Sequence, residues 1–169
     1  MAKKYPESLV RLRRALEGDL AYIGELSGRV FEVYGPYREM VARWFESRKA
    51  VTLVALMGER PVGFAMVGRF SDPSRIPLTA ELLAIAVEPR RQKKGVGRML
   101  MEGIEEISLP MNVGRLFLHT AVQNLTAQRL FARCGYRNTG VKSAFYPAGQ
   151  DALLLTKDLP LILKYDPPL

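Results

Sequence analysis

Residues 87–100, V-E-P-R-R-Q-K-K-G-V-G-R-M-L, constrain the fold more than any other part of this chain. An alternating apolar run over residues 81–87 stops just before Pro89. A basic, glycine-bearing turn follows, and then a helical pattern with Val96, Met99, Leu100, Ile104 and Ile107 on one face. The order strand, glycine turn, helix gathers backbone N–H groups at a helix N-terminus, where the dipole favours an anion. Lys93, Lys94 and Arg98 add positive charge beside that ring. The segment therefore predicts a pocket for a phosphorylated ligand.

The rest of the chain supplies a frame for such a pocket. At 169 residues and 48% hydrophobic content it is long enough for one domain, spanning 1–169, with a real core. Residues 8–14 alternate weakly as a first strand. Gly18 and Asp19 open a helix carrying Leu20, Ile23, Leu26, Val30 and Phe31, and Pro36 opens a second with Met40, Val41, Trp44 and Phe45. Residues 51–57 and 62–67 form a hairpin about Gly58 and Glu59. Residues 70–79 read as a loop, 81–87 as a strand, 95–108 as a helix and 115–121 as a strand. A short helix over 124–134 has Asn124 as N-cap and Gly135 as its C′ residue. The last strands are 136–142 and 152–157, and the tail from 158 is a loose cover.

Composition narrows the function classes. The start, M-A-K-K-Y-P-E-S, has no apolar core behind its lysines and does not read as a signal peptide. The longest uncharged apolar runs are far too short to span a bilayer, so no membrane role is expected. Cys134 is the one cysteine, which rules out an internal disulfide and favours the cytoplasm. His119 is the one histidine, so no metal site is expected. The net charge of +8 would suit nucleic acid, but the basic residues are spread out, and no aromatics interleave with them as a base-stacking surface. A basic RNA-binding domain rests on net charge alone.

The turn lacks the Gly-Lys-Ser/Thr of a P-loop and the three-glycine spacing of a dinucleotide fingerprint. Val87-x-Pro89-x-x-Gln92-x-x-Gly95-x-Gly97 instead resembles motif A of the GNAT superfamily of acyl-CoA-dependent N-acyltransferases. Downstream, Asn124-x-x-Ala127-x-x-Leu130-Phe131-x-x-x-Gly135-Tyr136 is similar to its motif B, and Val62-Gly63-Phe64 stands where that family has a hairpin. The resemblance runs over about residues 8–157. It implies a mixed α/β (α+β) GNAT fold: a mostly antiparallel twisted sheet of six to seven strands, splayed at the motif A strand and flanked by four helices. It also implies acetyl-CoA as co-substrate.

Carried over residue by residue, the resemblance gives the backbone from Gln92 through Lys93, Lys94, Gly95, Val96 and Gly97 to Arg98 the pyrophosphate of coenzyme A. A Cβ at Gly95 or Gly97 would obstruct a close approach. Ala86 and Val87 would hydrogen-bond the pantetheine arm as an added strand does. Asn124 would reach the same arm, cap its helix, or do both, and Phe131 would lie beside the cofactor.

The acceptor must lose a proton before it attacks a thioester. Neutralising a lysine-like amine at pH 7 costs ~4.6 kcal/mol, against ~1 kcal/mol for an α-amino group. A general base offsets this cost. Glu81 precedes Gln92 at the offset of the catalytic glutamate in the histone-acetylating branch. His119 takes the place of a glutamate base in the ribosomal-protein N-terminal acetyltransferase branch, and a histidine exchanges protons near neutrality. The alternatives are a solvent-facing Glu81 and a core His119. Phe131 departs from the family's usual tyrosine acid. Tyr146, and after it Tyr136, are the candidates to replace that acid, with packing as their other reading. Cys134 has no activating base nearby in sequence and reads as a small apolar residue. The acceptor, a peptide or lysine amine or a small molecule such as a polyamine or amino-sugar, would meet residues 33–38, Trp44, Phe145 and Tyr146. A non-catalytic acyl-CoA-binding regulator remains the alternative to an enzyme, and these residues leave monomer and homodimer both open.

Overall fold

The computed structural model describes residues 9–72, 74 and 77–161. Seven strands form one sheet in the order β1-β2-β3-β4-β5-β7-β6. They are β1 (Val10–Arg14), β2 (Val51–Met57), β3 (Arg60–Gly68), β4 (Leu78–Val87), β5 (Val113–Ala121), β6 (Arg137–Lys142) and β7 (Ala152–Asp158). The helices are α1 (Leu20–Phe31), α2 (Tyr37–Glu46), α3 (Val96–Ser108) and α4 (Leu125–Arg133). Every neighbouring pair is antiparallel except β4 with β5. Such a parallel pair needs a crossover, and α3 supplies it. No helix among the described residues is long and apolar enough to cross a membrane.

Both faces of the central strands are covered, which is why β2 and β3 read as nearly continuous apolar runs. Val54, Leu56, Phe64 and Met66 face Ile23 and Leu26 of α1 and Val41 of α2. Leu53, Ala65, Val67 and Leu82 face Leu100, Met101 and Ile104 of α3. Asp19 pins β1 to the start of α1. Its carboxylate takes two bonds from Arg13, at 2.7 and 3.0 Å, and one from the Leu16 N–H at 2.7 Å. The Arg13 bonds hold its carboxyl below the usual carboxylate range, against the opposing pull of burial.

The expected elements all form, with shifted ends. β4 begins at Leu78, not 81, because its first residues pair with β5 from Val113 onward, a partner that local pattern does not show. The proposed strand start at Ser8 and the tail from residue 162 lie outside the described residues.

One irregularity positions the site. Leu82 pairs with Val67 and Ala84 with Met66, so Leu83 stands as an extra residue in β4. A bulge of this kind bends its strand and reverses which side chains face which side. Pairing of β4 with β5 ends at the same point, Leu82 against Leu118. Beyond it β4 follows β3 to Val87, while β5 follows β7 to Ala121. The two strands diverge.

Candidate active site

The divergence opens into a cavity of about 310 Å³ on the α1–α2 side of the sheet. Leu83 and Ile85 of β4 and His119 and Thr120 of β5 line it, with Asn124 and Phe131 from α4. Its other wall is aromatic, from Phe31, Tyr34, Tyr37 and Trp44 together with Phe145 and Tyr146 of the β6–β7 loop. That loop is tied across the cavity: Gln150 Nε2 donates to the Val33 carbonyl at 2.6 Å, and the Ala148 N–H to the Tyr34 carbonyl at 3.1 Å. A Cβ on Gly35, at φ +135°, would stand 2.8 Å from Pro147 of the same loop.

Glu81 and His119, considered above as rival bases, form one unit. Glu81 Oε1 lies 2.9 Å from His119 Nδ1, and both side chains are almost wholly buried. Glu81 Oε2 accepts from Arg69 Nη1 at 3.0 Å. Burial pulls the Glu81 carboxyl upward, but the His119 bond and the Arg69 charge outweigh it and hold the group below the usual range. An ionised carboxylate on Nδ1 selects the tautomer with its proton there, which leaves Nε2 with a lone pair. Nε2 is buried and has no hydrogen-bond partner among the described residues. The imidazole is stacked on the Phe145 ring, centroids 4.2 Å apart and planes at 18°, which fixes its plane.

At the other end of β4 the expected order of strand, glycine turn and helix forms. After a 3-10 turn over Pro89–Arg91, Gln92 Nε2 donates to the Val87 carbonyl at 3.1 Å and fastens the turn to the strand end. The backbone N–H groups of residues 93–98 meet no acceptor among the described residues. Six orphan donors before and within the first turn of α3 form a cradle suited to a phosphate. Lys93 and Lys94 are exposed beside it, whereas Arg98 is drawn along its own helix to Glu102 at 2.8 Å.

The glycines serve different ends. Gly95 has φ +85° and open space around a built Cβ, so its requirement is conformational. A Cβ on Gly97 would come within 3.0 Å of Leu130, so this glycine lets α4 lie close against α3. Gly95→Ala is expected to cost ~1–2 kcal/mol, the penalty of a left-handed alanine. Gly97→Ala, which meets the movable end of a leucine, should cost less; urea midpoints of the two variants check the order.

Asn124 caps α4, its Oδ1 accepting from the Ala127 N–H at 3.1 Å, and it also lines the cavity. Phe131 is buried and meets Tyr136 edge-on. Tyr136 belongs to the core on the α3 side and does not line the cavity, whereas Tyr146 does. Burial pushes the Tyr146 hydroxyl well above its ordinary value and that of Tyr37 to about 12. Both therefore hold their protons at neutral pH. Cys134 is half-buried, and burial raises its thiol. Arg69 was not foreseen. No periodicity marks it, and its role appears only once β3 and β4 are paired.

Fold and site define a class, a splayed mixed sheet with a turn of unpaired backbone N–H groups at one end of the splay and a buried carboxylate–imidazole pair at the other. The chain belongs to the acetyltransferase (GNAT) family, whose sequence profile matches residues 20–136. Among curated relatives, the [ribosomal protein bS18]-alanine N-acetyltransferase of Salmonella typhimurium is 32% identical over 79 residues, 45% of this chain and 53% of that protein. The chain spans between 26% and 53% of the length of three curated relatives it matches. Of solved structures, the ribosomal-protein-S18-alanine N-acetyltransferase of Escherichia coli superposes with a TM-score of 0.75 at 19% identity, covering 95% of this chain and 100% of that one. The acetyltransferase yncA of Salmonella typhimurium, solved with acetyl-CoA, gives 0.75 at 21% identity with the same coverage.

Proposed function

We propose that the chain transfers an acetyl group from acetyl-CoA to a primary amine by direct attack in a ternary complex. The observation that carries this reading is the buried Glu81–His119 pair, with an unpartnered Nε2, in a cavity that opens from the strand splay. The amide cradle at 93–98 suits the pyrophosphate, and the divergent end of β4 at Ala86 and Val87 offers the pantetheine arm a strand edge. The named N-acetyltransferases among the relatives, and the neighbour solved with acetyl-CoA, support the same cofactor.

Each residue then has a task. The two ends of the splay hold thioester and amine together, which turns a bimolecular encounter into a local one. His119 Nε2 takes a proton from the ammonium form of the acceptor, which frees the nitrogen lone pair to attack the carbonyl carbon, and Glu81 stabilises the imidazolium that forms. Tyr146 lines the cavity and gives its proton to the departing thiolate in place of the tyrosine that Phe131 replaces, although burial raises its hydroxyl and so weakens it as an acid. The sulfur is also a tolerable leaving group by itself, because a free thiol has a pKa near ~8.5.

The test is thiol release from acetyl-CoA by purified protein, with peptides bearing free α-amines, lysine peptides and small amines as acceptors. Amine-dependent release with a matching acetylated product is the expected result. Acetyl-CoA binding without release by any acceptor would overturn the enzyme reading in favour of a binding domain.

A further inference from the structure

Arg69 follows β3 directly, with its backbone at φ +47°, a conformation that non-glycine residues keep only where their surroundings impose it. The result is a guanidinium at the cavity wall. One N–H reaches buried Glu81, the group lies 5.5 Å from the Trp44 ring centroid, and 56% of the side chain is exposed. A guanidinium has five N–H donors, of which Glu81 takes one. The others meet no acceptor among the described residues.

The charges around the cavity are few. Apart from His119, the formal charges in its lining belong to Arg69 and Glu81. Both oxygens of Glu81 are engaged, one by His119 and one by Arg69. The carboxylate is also buried, whereas the guanidinium is exposed, so the charge presented to an acceptor is that of Arg69. The exposed part of the guanidinium is a directional receptor for an anion, with the Trp44 indole 5.5 Å from it. A single carboxylate holds both the imidazole and the guanidinium, which places the proton acceptor and the anion receptor in the lining of one cavity.

We infer that Arg69 receives a carboxylate of the acceptor, so that the preferred substrate is a primary amine bearing a carboxylate a few bonds from its nitrogen. The inference rests on the transfer reaction proposed above and names its acceptor class. Two sources supply that chemistry: free amino acids, through the α-carboxylate, and peptides beginning with Asp or Glu, through the side chain. A polyamine places a second cation where the receptor is itself cationic, and is disfavoured.

Thiol release is measured with free amino acids, with Asp- and Glu-initiated peptides, and with the matched amide of each. The wild-type protein should prefer acid over amide by on the order of tenfold or more in kcat/KM, mostly through KM, the scale of one charge-assisted hydrogen bond. Arg69→Gln should bring that ratio towards one, and Arg69→Lys should retain part of it. Preference for free amino acids assigns the α-carboxylate, and preference for the peptides the side-chain carboxylate; either supports the proposal. Equal turnover of acids and amides overturns this assignment alone, as does a preference that Arg69→Gln does not change. Failure of every amine to release thiol overturns the transfer reaction, and this assignment with it.

Discussion

His119→Gln is expected to lower kcat by about two to four orders of magnitude, the range for removal of a positioned general base. Glutamine keeps the size and a polar end, so the stacking against Phe145 and the bond to Glu81 are replaced with little cavity. The loss should therefore appear in kcat, with KM for acetyl-CoA little changed, because the cradle at residues 93–98 is remote from this side chain along β4. Glu81→Gln should be damaging for a different reason. It leaves Nδ1–H a neutral acceptor, so the imidazolium that forms loses its counter-charge. The two variants are not additive if the residues act as one unit, and the double variant should be little worse than His119→Gln alone. Additive losses would mean two separate tasks.

The same pair has a signature in stability. The Glu81 carboxyl is held below its unfolded value, so its contribution is present above the unfolded pKa and is lost as pH falls through the folded one. Urea midpoints of wild type should therefore drop on the acid side, below the usual carboxylate range, and Glu81→Gln should flatten that part of the profile. A profile identical in both proteins would show that Glu81 does not carry the acid sensitivity.

Much of this was legible in the sequence because it is local. The turn at residues 88–97, the hairpin about Gly58 and the cap at Asn124 each rest on neighbours within a few positions, and the structure keeps all three. The Glu81–His119 pair is not local. The two residues lie 38 positions apart on neighbouring parallel strands, and they meet because Glu81 is in register with Phe117, whose face His119 shares two residues on. Each was visible as a candidate, but without that register they looked like competitors. Arg69 was invisible for the same reason, made worse by a backbone conformation that an arginine does not announce. Gly97 shows the reverse error: its position in the motif was legible, but the contact that requires it, Leu130, belongs to the packing of α3 on α4.

Gly63→Ala is expected to destabilise the fold by ~1–3 kcal/mol, the usual cost of forcing a methyl into a packed site. At an open position the same change would stabilise by ~0.4–1 kcal/mol, through the unfolded chain. Contact geometry decides the sign. A Cβ on Gly63 would stand 2.8 Å from the Ala86 carbonyl oxygen and 3.3 Å from Val87 Cα, both backbone atoms of a paired strand that cannot swing aside as a side chain does. Relief must come from moving the end of β4. That end carries Ala86 and Val87, the proposed pantetheine edge, and the Val87 carbonyl that fastens Gln92 and the turn. Loss of stability should therefore come with a raised KM for acetyl-CoA, while the Glu81–His119 pair, on the near side of the Leu83 bulge in β4, keeps its chemistry once cofactor is saturating. Gly18→Ala, where nothing stands within 4 Å of the new methyl, is the control for the unfolded-state effect. If Gly63→Ala matches that control in urea midpoint and leaves KM unmoved, then β3 does not set the position of the motif A strand, and the turn must be held by α3 alone.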